Sequence, residues 1–101
     1  MQPAYSKAAI RNVDVRTETD QLSLRYTYPM ETAYYSGGVN LERKDDVIRV
    51  VIARCKVDDP CEPDVPSHLP RPTNFEAAVR IPWKGERVVL VHADGEQQIS
   101  P

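Results

Sequence analysis

The chain has 101 residues, 41% hydrophobic and 28% charged, which suits one domain with a single core and excludes a disordered chain. Thirteen basic and fifteen acidic residues give a net charge of -2 without a block of either sign, which argues against a nucleic-acid partner. No apolar run approaches the length of a membrane-spanning helix, so we expect no transmembrane segment. Nine prolines leave little room for ordinary helices.

Alternating apolar and polar residues predict β-strands in the first third of the chain. Residues 8–18 predict a first strand whose apolar phase changes, and a bulge near Arg11 would account for the change. Residues 22–28 predict the clearest strand, with four large apolar side chains on one face: Leu22, Leu24, Tyr26 and Tyr28.

The middle of the chain predicts a hairpin followed by a long loop. Gly37 and Gly38 indicate a turn or bulge before a strand, and residues 44–46 indicate a tight turn after it. Residues 47–55 are apolar on both faces and rich in Val and Ile, which favours a central strand over a short buried helix. Residues 56–74 contain five prolines and predict one long irregular loop.

Two further strands and a closing hairpin are predicted after this loop. Residues 75–81 and 87–93 have strand patterns, Asp94-Gly95 is a common pair at a two-residue turn, and residues 96–100 can return as an edge strand. We therefore predict a single all-β domain over residues 1–101, an antiparallel two-sheet sandwich of about seven strands. The predicted shared core consists of Leu22, Leu24, Tyr26, Val50, Ile52, Phe75, Val79, Ile81, Val88 and Leu90.

The two cysteines, Cys55 and Cys61, lie at the start of the proline-rich loop. We predict a structural disulfide worth about 2 kcal/mol on the chain-entropy model, with two free thiols or a metal or redox role as the alternatives. A disulfide would place the protein in the periplasm or outside the cell. Residues 1–5 lack the charged and apolar regions of an export signal, so we expect either a cytosolic protein or the mature part of an exported one.

Several acidic residues and a histidine crowd the same loop: Asp58, Asp59, Glu62, Asp64 and His68. Such residues can hold calcium or zinc. Acidic residues among prolines are more typical of a solvated surface, and the ligand spacing of an EF-hand is missing. The sequence therefore predicts no metal site here.

Tyrosine is enriched where proteins meet partners, and Tyr34 and Tyr35 cannot both face inward from a regular strand. We expect one of them to be exposed. The predicted partner-binding residues are these two tyrosines together with Asp58, Asp59 and His68 of the loop.

The sequence offers no catalytic constellation. His92 lies in a β segment, where a hydrogen-bonded core or rim residue is the expected role, and no serine or cysteine can be tied to it. A Gly-rich phosphate loop and a nucleophile elbow are also missing. We therefore predict a protein that is not an enzyme and has no cofactor.

Four segments from Leu22 onward share a layout: the Arg43–Cys55 hairpin, the loop with Cys61, the Phe75–Ile81 strand before Pro82, and the Val88–Val91 strand before Asp94-Gly95. This layout resembles the immunoglobulin-like sandwich modules of bacterial exported proteins and lipoproteins. It differs from antibody domains because Trp83 follows both cysteines instead of lying between them. The resemblance implies binding or scaffolding, without naming a ligand.

Three functional hypotheses follow. The first is a non-catalytic binding or structural module of an exported bacterial protein, with a protein partner. The second is a small inhibitor or regulator that presents the disulfide-pinned loop 56–74 to an enzyme, because a rigid loop loses less entropy on binding. The third and most distant is a metal-binding or redox protein.

Overall fold

A computed structural model describes residues 4–59, 61–69 and 75–100. Within these residues the regular structure is β, apart from one short 3-10 turn at Lys7–Ala9. This turn is far too short to span a bilayer, and the described residues contain no other helix. The strands are β1 (Arg11–Thr17), β2 (Gln21–Thr27), β3 (Tyr34–Tyr35), β4 (Gly38–Lys44), β5 (Val47–Ile52), β6 (Cys55–Lys56), β7 (Val65–Pro66), β8 (Glu76–Pro82), β9 (Arg87–His92) and β10 (Gly95–Ser100).

The strands form two larger sheets and a small ribbon. One sheet has three strands in the order β1-β2-β8, and the other has five in the order β10-β9-β5-β4-β7. The ribbon pairs β3 with β6. The prediction of an all-β chain is confirmed.

The two larger sheets share one hydrophobic core. The strand predicted at residues 22–28 sends its four large apolar side chains into this core, where each is at most 4% exposed. The core prediction is confirmed except at Phe75, which is only partly buried. Phe75 precedes β8 with a positive φ of 56°, so its ring meets Tyr28 edge-on at 6.1 Å instead of continuing the inward row of the strand.

The prediction of a purely antiparallel sandwich is wrong for one strand pair. The central strands β5 and β9 of the five-stranded sheet run parallel, with Val50 opposite Leu90. The reason is the route of the chain, which after β5 passes through the ribbon strand β6, the edge strand β7 and then β8 of the other sheet before it reaches β9. A parallel pair requires such a crossover connection.

The segment predicted as one strand over residues 47–55 is divided. The part at Val47–Ile52 forms the central strand β5 as predicted, but the strand is interrupted at residues 53–54 and Cys55 joins the separate ribbon. The predicted loop at 56–74 is also less irregular than expected, because β7 pairs with the start of β4. Pro66 is acceptable there because β7 is an edge strand that needs no amide on its outer side. Residues 60 and 70–74 of this loop lie outside the described residues.

The sequence predicted a bulge in the first strand and a two-residue turn in the last hairpin. The bulge near Arg11 is confirmed, since the register of β1 against β2 shifts between Arg11 and Asp14. The last hairpin turns one residue earlier than predicted, at Ala93 and Asp94, because Gly95 already pairs with His92. The predicted edge strand after the turn is confirmed as β10.

Candidate functional site

The predicted disulfide is present between Cys55 and Cys61, whose Cα atoms are 5.3 Å apart. Cys55 is 1% exposed, whereas Cys61 is exposed at the surface. The bridge closes a turn in which the Asp59 amide donates to the Lys56 carbonyl at 3.3 Å. The disulfide therefore fixes a surface turn to a buried strand end.

This turn is continuous with the β3–β6 ribbon. Tyr34 pairs with Lys56, and Tyr35 pairs with Cys55. One residue beyond the ribbon, the Val57 amide donates to the Ala33 carbonyl at 2.9 Å. The ribbon thus places the two predicted tyrosines beside the disulfide-closed turn.

The expectation that one of Tyr34 and Tyr35 is exposed is wrong, since both are half-buried, but the two rings have different surroundings. Tyr35 packs against the hydrophobic core. Tyr34 lies under Arg54, whose guanidinium carbon is 3.7 Å from the centroid of the ring. Such a stacked cation and aromatic ring attract each other electrostatically. Of the two tyrosines, Tyr34 is therefore the one whose ring forms part of the ribbon surface, together with the Arg54 guanidinium.

Glu31 holds Arg54 in this position. The Arg54 Nε donates to the Glu31 Oε1 at 3.1 Å, and its Nη2 donates to the other carboxylate oxygen. The hydrogen bond with Glu31 raises the pKa of Arg54, so this side chain keeps its charge. A two-point contact of this kind fixes the plane of the guanidinium as well as its position.

Two large apolar side chains of the described residues are exposed, and both lie close in sequence to a strand of this ribbon. Met30 is 77% exposed beside Glu31, and Val57 is 47% exposed after β6. Sequence patterning missed both, together with Glu31 and Arg54. The available signal was weak: each apolar residue stands in a short stretch without alternation, Met30 after a proline and Val57 before two aspartates.

We define the ribbon-end surface as Met30, Tyr34, Arg54 and Val57. Asp58 and Asp59 are exposed next to it in the disulfide-closed turn. These two predicted residues therefore lie in the turn that follows β6, the strand paired with the two predicted tyrosines.

A groove lies at the base of the turn, on the other side of Tyr35. It encloses about 230 Å³ between Tyr28, Tyr35, Cys61, Pro63 and Leu69. Its walls are thus aromatic rings, prolines and the exposed half of the disulfide.

The fifth predicted binding residue, His68, faces a different hollow. Its backbone amide donates to the Ala78 carbonyl of β8 at 2.9 Å, which places it at the edge of the three-stranded sheet. The hollow beside it has a volume of about 350 Å³ and is also lined by Arg16, Arg25 and Arg80. The structure does not bring His68 together with the ribbon-end surface.

Asp64 has a structural role in the acidic loop. One carboxylate oxygen of Asp64 accepts from the Leu41 amide at 2.9 Å, and the Asp64 amide donates to the Asn40 side chain at 2.9 Å. These bonds attach the loop to β4. Across residues 4–59, 61–69 and 75–100, no group of three or more His, Cys, Asp or Glu side chains is placed to hold a metal ion.

His92 has the role predicted for it. It is 3% exposed, and its Nε2 lies 3.3 Å from the Gln97 side-chain oxygen. Its other ring nitrogen has no hydrogen-bond partner within the described part of the chain. This is the environment of a hydrogen-bonded core residue.

Tyr5 is a buried polar residue that sequence patterning did not select. It is 5% exposed, and its hydroxyl has no hydrogen-bond partner among the described residues. Burial, and secondarily the nearby Glu31 carboxylate, raise the pKa of Tyr5. Its backbone carbonyl accepts from the Ala93 amide at 2.7 Å, which attaches the N-terminal segment to the last hairpin.

Comparison with protein-family models, with curated proteins and with solved structures found no match to this chain.

Proposed function

We propose that this chain is a non-catalytic binding or structural module of an exported bacterial protein, and that it binds a protein partner through the ribbon-end surface. The observation that carries the proposal is the stacking of Arg54 on Tyr34 at the ribbon, together with the exposure of Met30, next to Glu31 that holds Arg54, and of Val57, which directly follows β6. Met, Tyr and Arg are enriched in protein interfaces, and Tyr and Arg supply much of the binding energy there.

The rigidity of this surface supports a binding role. Glu31 fixes Arg54, and the disulfide between Cys55 and Cys61 fixes the turn that carries Val57. Side chains that are already ordered lose less entropy when a partner binds. The Arg54 side chain and the turn with Val57 are therefore ordered before a partner binds.

The immunoglobulin-like arrangement is part of the same proposal. Two sheets that share one core, a proline-rich connection and a closing hairpin are features of such modules, although the parallel β5–β9 pair departs from the purely antiparallel form. The disulfide supports a periplasmic or extracellular location, because disulfides persist in oxidising compartments.

A paired capture experiment tests this function. The wild-type protein is immobilised and exposed to a periplasmic extract of the source cell, beside the variant M30E/V57E and the control K44Q/R87Q. Both double variants make the net charge more negative by two units, but Lys44 and Arg87 are exposed in the five-stranded sheet, away from the ribbon.

We expect the wild type and K44Q/R87Q to retain the same protein and M30E/V57E to lose it. Retention of that protein by M30E/V57E, or no retained protein with the wild type, would contradict the proposal. Far-ultraviolet circular dichroism of all three proteins checks that their folds agree.

The disulfide-closed turn favours a second candidate, a small inhibitor or regulator. Val57, Asp58 and Asp59 are exposed at the tip of a turn that the disulfide closes. An inhibitor that uses this tip should lose its potency when Cys55 and Cys61 are both replaced by Ser, whereas a scaffold inhibits no member of a protease panel in either form.

A further inference from the structure

Strand β1 is an edge of the three-stranded sheet. It pairs with β2 on one side, and none of the described residues forms a strand on its other side. Its central side chains are open to solvent, since Asp14 is 57% exposed and Arg16 is 79% exposed. Val15 between them is half-buried and packs against the core.

The hydrogen-bond alternation shows which backbone groups of β1 point away from the sheet. The Glu18 amide donates to the Gln21 carbonyl at 2.8 Å, in the same register that places Thr17 opposite Leu22. In an antiparallel ladder, hydrogen-bonded and non-hydrogen-bonded pairs alternate. Asp14 and Arg16 are therefore bonded to β2, whereas the amide and carbonyl groups of Val15 and Thr17 point outward.

Two bonds on the far side of β2 agree with this alternation. The Trp83 amide donates to the Asp20 carbonyl, and the Tyr28 amide donates to the Phe75 carbonyl. Both bonds lie in the β2–β8 register and assign the even-numbered residues of β2 to β8. The odd-numbered residues Ser23 and Arg25 are thus the ones that bond to β1.

The sequence of β1 is complementary to itself when two copies run antiparallel with Val15 at the centre. In that register the Val15 residues of the two copies lie directly opposite each other. Their amide and carbonyl groups point away from their own sheets, so they can hydrogen-bond across the pair. Asp14 then lies opposite Arg16 of the second copy, and the same pair recurs on the other side of the two-fold axis. Opposite charges in directly facing positions stabilise a strand pair, and like charges destabilise it.

Neighbouring registers do not satisfy this pattern. A shift of the pairing by one residue would turn the valine face toward solvent, because side chains alternate between the two faces of a strand. Centring the pair on Asp14 or on Arg16 would bring identical charges together. Centring the pair on Thr17 would place Arg16 opposite Glu18, but it would also bring Asp14 opposite Asp20 and would rely on residues beyond the end of β1. The register centred on Val15 therefore satisfies the charges of β1 best, with a second copy as the partner strand.

We propose that β1 is a self-association site at which two copies of this chain pair antiparallel about Val15 and join their three-stranded sheets into one six-stranded sheet. The contact is isologous, as in the common two-fold dimers. It is separate from the ribbon-end surface and does not depend on the proposed function.

Charge reversal and charge exchange test this pairing. Sedimentation velocity over a range of concentrations should show a wild-type monomer and dimer in equilibrium. The single variants Asp14→Arg and Arg16→Asp should weaken the dimer by roughly tenfold or more, because each places like charges opposite each other twice. The exchanged variant D14R/R16D restores both pairs and should return the dissociation constant to the wild-type range.

Asp46→Arg is the matched control for Asp14→Arg, since it makes the same charge change in the exposed turn between β4 and β5. It should associate like the wild type. Circular dichroism confirms that each variant is folded.

Amide hydrogen exchange supplies a second readout. The Val15 and Thr17 amides should exchange rapidly at low concentration and become protected as the dimer forms, whereas the Asp14 and Arg16 amides stay protected throughout. A wild type that remains monomeric at millimolar concentration, a dimer without protection at Val15, or an exchanged variant that fails to associate would each overturn the proposal.

Discussion

The hydroxyl oxygens of Tyr26 and Ser36 lie 2.6 Å apart in the interior, and the Tyr26 hydroxyl also donates to the Gly38 carbonyl at 3.1 Å. Tyr26 belongs to the middle strand of the three-stranded sheet, and Gly38 begins β4 of the other sheet. Tyr26 and Ser36 are at most 4% exposed. This buried hydrogen-bond network therefore ties the two sheets together beside the ribbon.

Tyr26→Phe should lower the free energy of unfolding by about 1–2 kcal/mol, because it leaves the buried Ser36 hydroxyl and Gly38 carbonyl with fewer partners. Urea unfolding followed by circular dichroism measures the change. Tyr34→Phe is the control, since Tyr34 is only half-buried, and it should change the stability by less than about 0.5 kcal/mol. Equal losses in the two variants would show that the network does not stabilise the fold.

Stability should fall with rising pH above about 10, the ordinary pKa of tyrosine. Burial raises the pKa of both Tyr5 and Tyr26, so the folded protein keeps both protons after the unfolded chain has released them. This contribution is fully present below pH of about 10, and it is lost at about 1.4 kcal/mol per tyrosine for each further pH unit.

Urea unfolding at a series of pH values from neutral to alkaline measures that slope. Tyr26→Phe should remove about half of the tyrosine contribution, because it leaves only Tyr5 to titrate. An identical slope in the wild type and the variant would exclude Tyr26 as its source.

Gly38→Ala should be strongly destabilising, by about 2 kcal/mol or more, for a steric reason. A Cβ at Gly38 would lie 2.2 Å from the Val65 carbonyl oxygen and 2.8 Å from the Pro66 Cα, so β7 would have to move away from β4. The control is Gly85→Ala, where φ is also positive, at 98°, but no atom lies within 4 Å of the added group. We expect that control to lose about 1 kcal/mol from backbone strain alone.

The two glycine variants can also be compared by amide exchange at Ser67, whose amide donates to the Gly37 carbonyl at 2.8 Å. Displacement of β7 in Gly38→Ala should accelerate this exchange, and Gly85→Ala should not. Unchanged exchange in Gly38→Ala would show that the segment accommodates the methyl group without moving.

Reduction of the disulfide should lower the free energy of unfolding by about 2 kcal/mol, the chain-entropy estimate for so short a loop. Thiol titration of the denatured, unreduced protein should find no free sulfhydryl, because Cys55 and Cys61 are joined. The double variant C55A/C61A should match the reduced protein apart from the smaller side chain at the buried position 55. Two titratable thiols in the unreduced protein would contradict the bridge.

Some features of this protein were determined by its sequence alone. Leu22, Leu24, Tyr26 and Tyr28 alternate with polar residues, and alternation is a local property that decides which face of a strand is buried before any partner strand is known. The apolar segment at Val47–Ile52 likewise favoured a central strand over a short buried helix, because it is rich in Val and Ile, which lose side-chain freedom in a helix. The short separation of Cys55 and Cys61 made a disulfide geometrically reasonable.

The tertiary structure decided the remaining features, since they depend on residues that are far apart in the chain. The parallel pairing of β5 with β9 follows from the excursion into the other sheet, which no local pattern records. Glu31 and Arg54 are 23 residues apart, and only the β3–β6 ribbon brings the guanidinium over Tyr34. The sequence also did not determine whether Met30 and Val57 are exposed, or whether His68 lies near the tyrosines. Both outcomes depend on which segments pack against each other.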